Sequence, residues 1–177
     1  MKLRMLLELE TREARKGIHM PDWIDDLKKQ EVLMQEAQDK QEQMRLHTAK
    51  VIAAKLPGFW DATINSIRQD CQRLRDTFPN TRQRHCHVDT ISDTVAIVNE
   101  GPLPRLEMRL RLNLDGQCID VFDAVKSDMF RQPDECGPRR IDVTLDQHEQ
   151  LQFRYGGKNH NTPESLAQAF VSYVCKI

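Results

Sequence analysis

The chain has 177 residues, 39% hydrophobic, 30% charged and 6% aromatic, with a formal net charge of -1. That length and composition allow one domain with a modest core, or one domain plus an extension. The charge balance lacks the basic excess of most nucleic-acid binders.

The five cysteines (Cys71, Cys86, Cys118, Cys136, Cys175) are scattered, odd in number and contain no Cys-x-x-Cys pair. Buried thiols in a reducing compartment are the economical expectation. The opening MKLRMLLELETREAR interrupts its apolar run with acidic residues, which argues against a signal peptide or a membrane span. A cytoplasmic protein, with no membrane partner, is expected.

In chain order, Leu3, Leu6, Leu7 and Leu9 fit one face of a short helix over about 2–15, closed by Gly17. Pro21 then reopens helix, and no Gly or further Pro follows until Pro57. Along this long helix one heptad column reads Met20, Leu27, Met34, Gln41, Thr48, and its neighbour reads Trp23, Gln30, Ala37, Met44, Val51. The apolar stripe is narrow and its seam is partly polar, so the helix needs a partner surface while making a poor free-standing coiled coil.

Pro57-Gly58 is expected to break the helix. A third helix then carries Trp60, Ile64, Ile67, Cys71, Leu74 and Phe78 at spacings of three and four, up to Pro79-Asn80. Basic residues also change type there: four Arg and seven Lys precede Gly58, twelve Arg and three Lys follow. The expected organisation is a helical arm over 1–57 and an α+β domain over 58–177.

From Arg84 onward the apolar period becomes two. Strands are predicted over about 84–91, 94–100, 105–114, 117–126, 139–145 and 150–155. The clearest is the hairpin about Asp115-Gly116, whose phase sets Leu112 opposite Ile119, Leu110 opposite Val121, Arg111 opposite Asp120, and Arg109 opposite Phe122. That phase also places Asp123 on the apolar face, opposite Met108. There it either lies near an edge, where it blocks wrong pairing, or at a partly open rim, or it serves as a functional acid. Ile141, Val143 and Leu145 share a face, as do Leu151, Phe153 and Tyr155, so the loop between them must be odd in length or bulged. A last helix, capped by Thr162 or Asn161 and with Pro163 in its first turn, has Leu166, Phe170, Tyr173, Val174 and Ile177 as its stripe. The fold class is α+β: a mainly antiparallel sheet of about six strands, with helices on one face.

No catalytic, nucleotide-binding or metal signature rises above background, and no cofactor or metal is expected. Three patterns are weighed. His85, His87 and Asp89 alternate on a strand as metal ligands could, although an exposed polar face explains them as well. Tyr155-Gly156-Gly157-Lys158-Asn159-His160 could hold an anion where a strand leads into a helix, or be a plain strand exit. Arg73, Arg75, Arg82, Arg84, Arg139 and Arg140 could grip phosphates, but the interleaved Glu107, Asp120 and Asp142 look like a solvated face.

The expectation is therefore a non-enzymatic protein-interaction or scaffold module, homo-oligomeric or docking through its arm, with Trp23, Leu27, Met34, Met44 and Phe122 as candidate interface residues. The alternatives are an enzyme using Asp123 or the His85/His87 pair at the sheet rim, and a nucleic-acid binder using the arginines.

Overall fold

The structure is a computed structural model that describes residues 23–127, 134–135 and 139–176. The short first helix expected over 2–15, with Met20 and Pro21, lies outside the described residues, as do Cys136 and Ile177. The chain divides into two compact units, Met1–Arg45 and Leu46–Ile177.

Helix α1 runs without interruption from Trp23 to Thr77. The expected break at Pro57-Gly58 does not occur, and the two helices expected on either side of it are one. Proline inside a helix removes one backbone bond and crowds the preceding turn, at a cost of about 3 kcal/mol. Burial on both sides outweighs that. Ile52, Leu56, Trp60, Thr63, Ile67 and Cys71 form one buried stripe at spacings of three and four that runs straight past Pro57. Each large apolar side chain in it stabilises the helix by about 1.5–3 kcal/mol.

The stripe therefore starts before Pro57, and the packed unit begins at Leu46. Within that unit polar contacts also fasten the helix. Gln117 Nε2 donates to the Ala49 carbonyl at 2.7 Å, and Lys55 Nζ donates to the Glu149 carbonyl at 2.6 Å.

After a 3-10 turn at Arg82–Arg84 come strands β1 (Cys86–Ile91), β2 (Thr94–Asn99), β3 (Arg105–Asn113), β4 (Cys118–Lys126), β5 (Asp134–Glu135), β6 (Arg139–Leu145), β7 (Leu151–Tyr155) and β8 (Lys158–His160). Helix α2 spans Pro163–Cys175. The sheet is antiparallel in the order β1-β2-β3-β4-β6-β7-β8, and the short β5 pairs with β4. It exceeds the expected strand number because the two shortest pieces, β5 and β8, carry no alternation long enough to read.

The β3–β4 register is the one the sequence specifies: Arg111 faces Asp120, Leu110 faces Val121, Arg109 faces Phe122 and Met108 faces Asp123. The turn itself is wider than the expected two-residue one. Leu114–Gln117 form it, and the left-handed residue is Gln117 at φ 48°. Gly116 is required for space instead: a Cβ there would meet Arg140 Nη2 at 3.0 Å and the Asn113 side chain at 3.1 Å. Leu145 faces Leu151 across Asp146–Gln150, a connection of odd length as the shared faces demanded.

One face of the sheet, including Val95, Ile97, Leu110, Ile119, Val121, Ile141, Val143 and Phe153, joins Leu56 and Ile67 of α1 and Phe170 and Val174 of α2 in one buried cluster. Both helices thus cover the same face, in the two-layer α+β arrangement. Helix α2 starts where expected: Thr162 Oγ1 accepts from the Ser165 N–H at 3.2 Å, and Glu164 lies in the first turn. Cys71, Cys86, Cys118 and Cys175 are buried free thiols. The sulfurs of Cys71 and Cys86 lie 2.6 Å apart, and hydrogen bonds to Cys175 and Cys71 together with burial push the Cys86 thiol up.

Candidate functional site

Two places in the molecule depart from what folding alone needs. The first is the segment of α1 within Met1–Arg45. Every side chain from Trp23 to His47 is exposed, including Trp23 (69%), Leu27 (47%), Met34 (65%) and Met44 (70%). At 100° per residue Trp23, Leu27, Leu33, Met34, Ala37 and Met44 fall within about a third of the helix circumference. Among the described residues, the polar ties within this segment are local: Lys28 with Asp25, Lys29 with Asp26, Arg45 with Glu42, and Gln35 with Asp39. Each such pair contributes about 0.2–0.5 kcal/mol, which does not hold a long helix by itself.

The second is a buried polar group around Asp123. This residue lies on the core face of β4 and is only 6% exposed. Strand β4 is interior to the sheet, between β3 and β6, so the edge-blocking account of Asp123 fails. A charge there is held by partners instead. Arg139, on the core-face register of β6, forms an ion pair and hydrogen bond with Asp123 Oδ2, and the Tyr173 hydroxyl donates to the same oxygen at 3.1 Å. The Arg139 guanidinium also lies over the rings of Tyr173 (5.3 Å) and Tyr155 (5.9 Å). Burial opposes the Arg139 charge, but the Asp123 carboxylate and the two phenols outweigh it and raise its pKa.

Two atoms of this group, Asp123 Oδ1 and the Tyr155 hydroxyl, are buried without a hydrogen-bond partner. Sequence reasoning found Asp123 and Tyr155 but missed Arg139 and Tyr173 as its partners. Alternation back from Ile141, Val143 and Leu145 puts Arg139 on the apolar face and could have supplied the countercharge.

Burial pushes the Tyr155 phenol up to about 12 from its ordinary 10. The unfolded chain releases that proton at the lower pH, so the folded protein holds more protons between these values and loses stability as pH rises through them. The Tyr155 side chain as a whole is half-buried. Discounted for that exposure, the loss is about 1–2 kcal/mol. Urea unfolding of wild type and Tyr155→Phe below about pH 9.5 and above about pH 11 checks this. The stability difference between the two proteins is expected to shift toward the phenylalanine variant at the higher pH.

The other sequence candidates are dispersed. His85 precedes β1 and is buried, with Nε2 2.6 Å from the Phe78 carbonyl. His87 lies beside Glu100 (3.2 Å) and Asp89 (3.4 Å), and Glu100 also approaches His85 Nδ1 at 4.0 Å, so the two histidines share a carboxylate. Among the described residues no group of three or more His, Cys, Asp or Glu side chains is placed to hold a metal ion.

The glycine stretch is a hairpin between β7 and β8, not a strand-to-helix loop. Gly156 (φ 57°) and Gly157 (φ 77°) make its two-residue turn, and Tyr155 faces Lys158. His160 is buried, with Nδ1 2.8 Å from Ser165 Oγ. The arginines are mostly matched by acids: Arg73 with Asp70, Arg75 with Glu100, Arg109 with Glu107, Arg111 with Asp120 and Arg140 with Asp142. Phe122 is half-buried on the outer face, 6.0 Å from the Arg111 guanidinium.

No family model matches this chain, and neither a curated protein nor a solved structure matches it. No helix among the described residues is long and apolar enough to cross a membrane.

Proposed function

We propose that this protein is a non-enzymatic interaction module that self-associates through the α1 segment before Leu46. The observation that carries the proposal is a helical segment of which no side chain is buried, although Trp23, Leu27, Met34 and Met44 share one face. Apolar residues gathered on one helix face mark an interaction surface. A second copy is the occupant its chemistry suits. The flanks mix Asp25, Asp26, Glu31 and Glu36 with Lys28, Lys29, Lys40 and Arg45, so either sign finds its complement in another copy. Gln30 and Gln41 at seam positions can set register between copies at some cost in stability. Phe122 belongs to the outer sheet face and supplements the arm at most. A cytoplasmic setting is part of the proposal, supported by the four free buried thiols among the described residues.

The enzyme alternative at Asp123 has less support, because the partners of its carboxylate are Arg139 and Tyr173 and no histidine. The nucleic-acid reading likewise has less support, because Arg73, Arg75, Arg109, Arg111 and Arg140 are paired with acids.

Leu27→Lys with Met34→Lys tests the proposal. Both residues are already exposed, so thermal unfolding of the Leu46–Ile177 unit should stay within about 0.5 kcal/mol of wild type, while the oligomer dissociates to monomer. An oligomer unchanged by the two lysines would overturn the proposal.

A further inference from the structure

A cavity of about 410 Å³ lies beside the Gly101–Pro104 loop and the C-terminal end of α2. We infer that it is a binding site for a small organic phosphate.

The walls are fixed from within. Buried Asn99 donates from Nδ2 to the Gln83 carbonyl at 2.9 Å and accepts from the Gly101 N–H at 2.8 Å. A Cβ on Gly101 would meet Asn99 Oδ1 at 2.7 Å, so the loop sits directly against this side chain. Pro102 and Pro104 restrict the same loop. The cavity's size falls in the range of small-molecule sites, about 300–1,000 Å³.

The charge of the lining is one-sided. Arg84, Arg105 and Lys176 line the cavity, and among the described residues no Asp or Glu does. None of the three is paired with a carboxylate of a described residue, whereas five other arginines named above and Arg139 each have one. Arg105 is half-buried, so its charge is less screened by solvent than those of the exposed Arg84 and Lys176. The end of α2 opposes an anion with roughly half a negative charge, which Arg84, Arg105 and Lys176 offset together; the Arg84 guanidinium also lies over the Phe78 ring at 4.5 Å.

Arginine's fork and a lysine point charge together suit a dianionic phosphate better than a single carboxylate. Leu103, Leu106 and Val174 provide an apolar wall for the body of the ester.

Isothermal titration of the full chain with phenyl phosphate, and with inorganic phosphate as the bare anion, tests the site. One molecule of phenyl phosphate is expected per chain, bound more tightly than inorganic phosphate. Affinity is expected to fall at least tenfold in Arg105→Met and severalfold in Lys176→Gln. Lys176 is exposed at the end of α2, so its substitution leaves the fold intact and decides the matter if Arg105→Met does not fold. Absence of heat with either compound at millimolar concentration would overturn the inference, as would affinity unchanged in Lys176→Gln and in a folded Arg105→Met.

Discussion

Phe153→Ala is expected to cost about 3–5 kcal/mol, a large share of the 5–15 kcal/mol that holds an ordinary domain folded. Phe153 is fully buried on β7 and faces Val143 and His160 on its two neighbouring strands. Its ring stacks on Phe59 of α1 with centroids 4.5 Å apart and planes 24° apart. Truncation therefore removes burial from the sheet and from the helix turn just past Pro57 at once. The aromatic pair itself contributes about 0.5–1.5 kcal/mol beyond area, and a double-mutant cycle with Phe59→Leu isolates it. Urea unfolding checks the total. A loss under about 1 kcal/mol at Phe153 would mean that α1 does not pack there.

Leu110→Ala should cost about 2–5 kcal/mol and its neighbour Arg111→Ala less than about 1. The two residues are adjacent on β3 and point to opposite faces. Leu110 is fully buried between Val95 and Val121, with nothing to collapse into its place except the close-packed core. Arg111 pairs with Asp120 at 3.3 Å on the outer face, its side chain 45% exposed, where solvent screens the attraction. Measured by the same urea titration, equal and small losses at both positions would show the register to be wrong by one residue, since a one-residue slip exchanges the faces.

This hairpin was legible because its signal is local. Alternation from Leu106 to Leu114, a turn dipeptide, and a second alternating run fix pairing without knowledge of the rest. The same holds for the odd connection between Leu145 and Leu151. At Pro57 local backbone chemistry competes with the burial of Ile52, Leu56 and Trp60 against the sheet; their spacing of four is present around the proline, but the sheet that covers them is remote in sequence. Gly156-Gly157 reads from sequence as a strand exit, because β8 after it is too short to show the period that would mark a hairpin.

The Asp123 group was half legible. Its own misfit on an apolar face was visible, and so was Tyr155 on a shared face. Tyr173 arrives from α2, and no spacing in the sequence relates that helix to β4. His85 and His87 looked like a pair through alternation alone, yet the strand starts only at Cys86, so the ring of His85 is free to turn inward to the Phe78 carbonyl. The exposed stripe of the arm was read from periodicity, and its exposure is what the structure adds.

Sedimentation equilibrium of the full wild-type chain across a wide concentration range, read together with helical circular dichroism, tests self-association through the arm most directly. The account predicts a mass that is a multiple of 20.7 kDa and falls to one chain on dilution, with helical signal lost as the copies separate. A protein that stays a single chain at every concentration, with its helical signal unchanged, would contradict it.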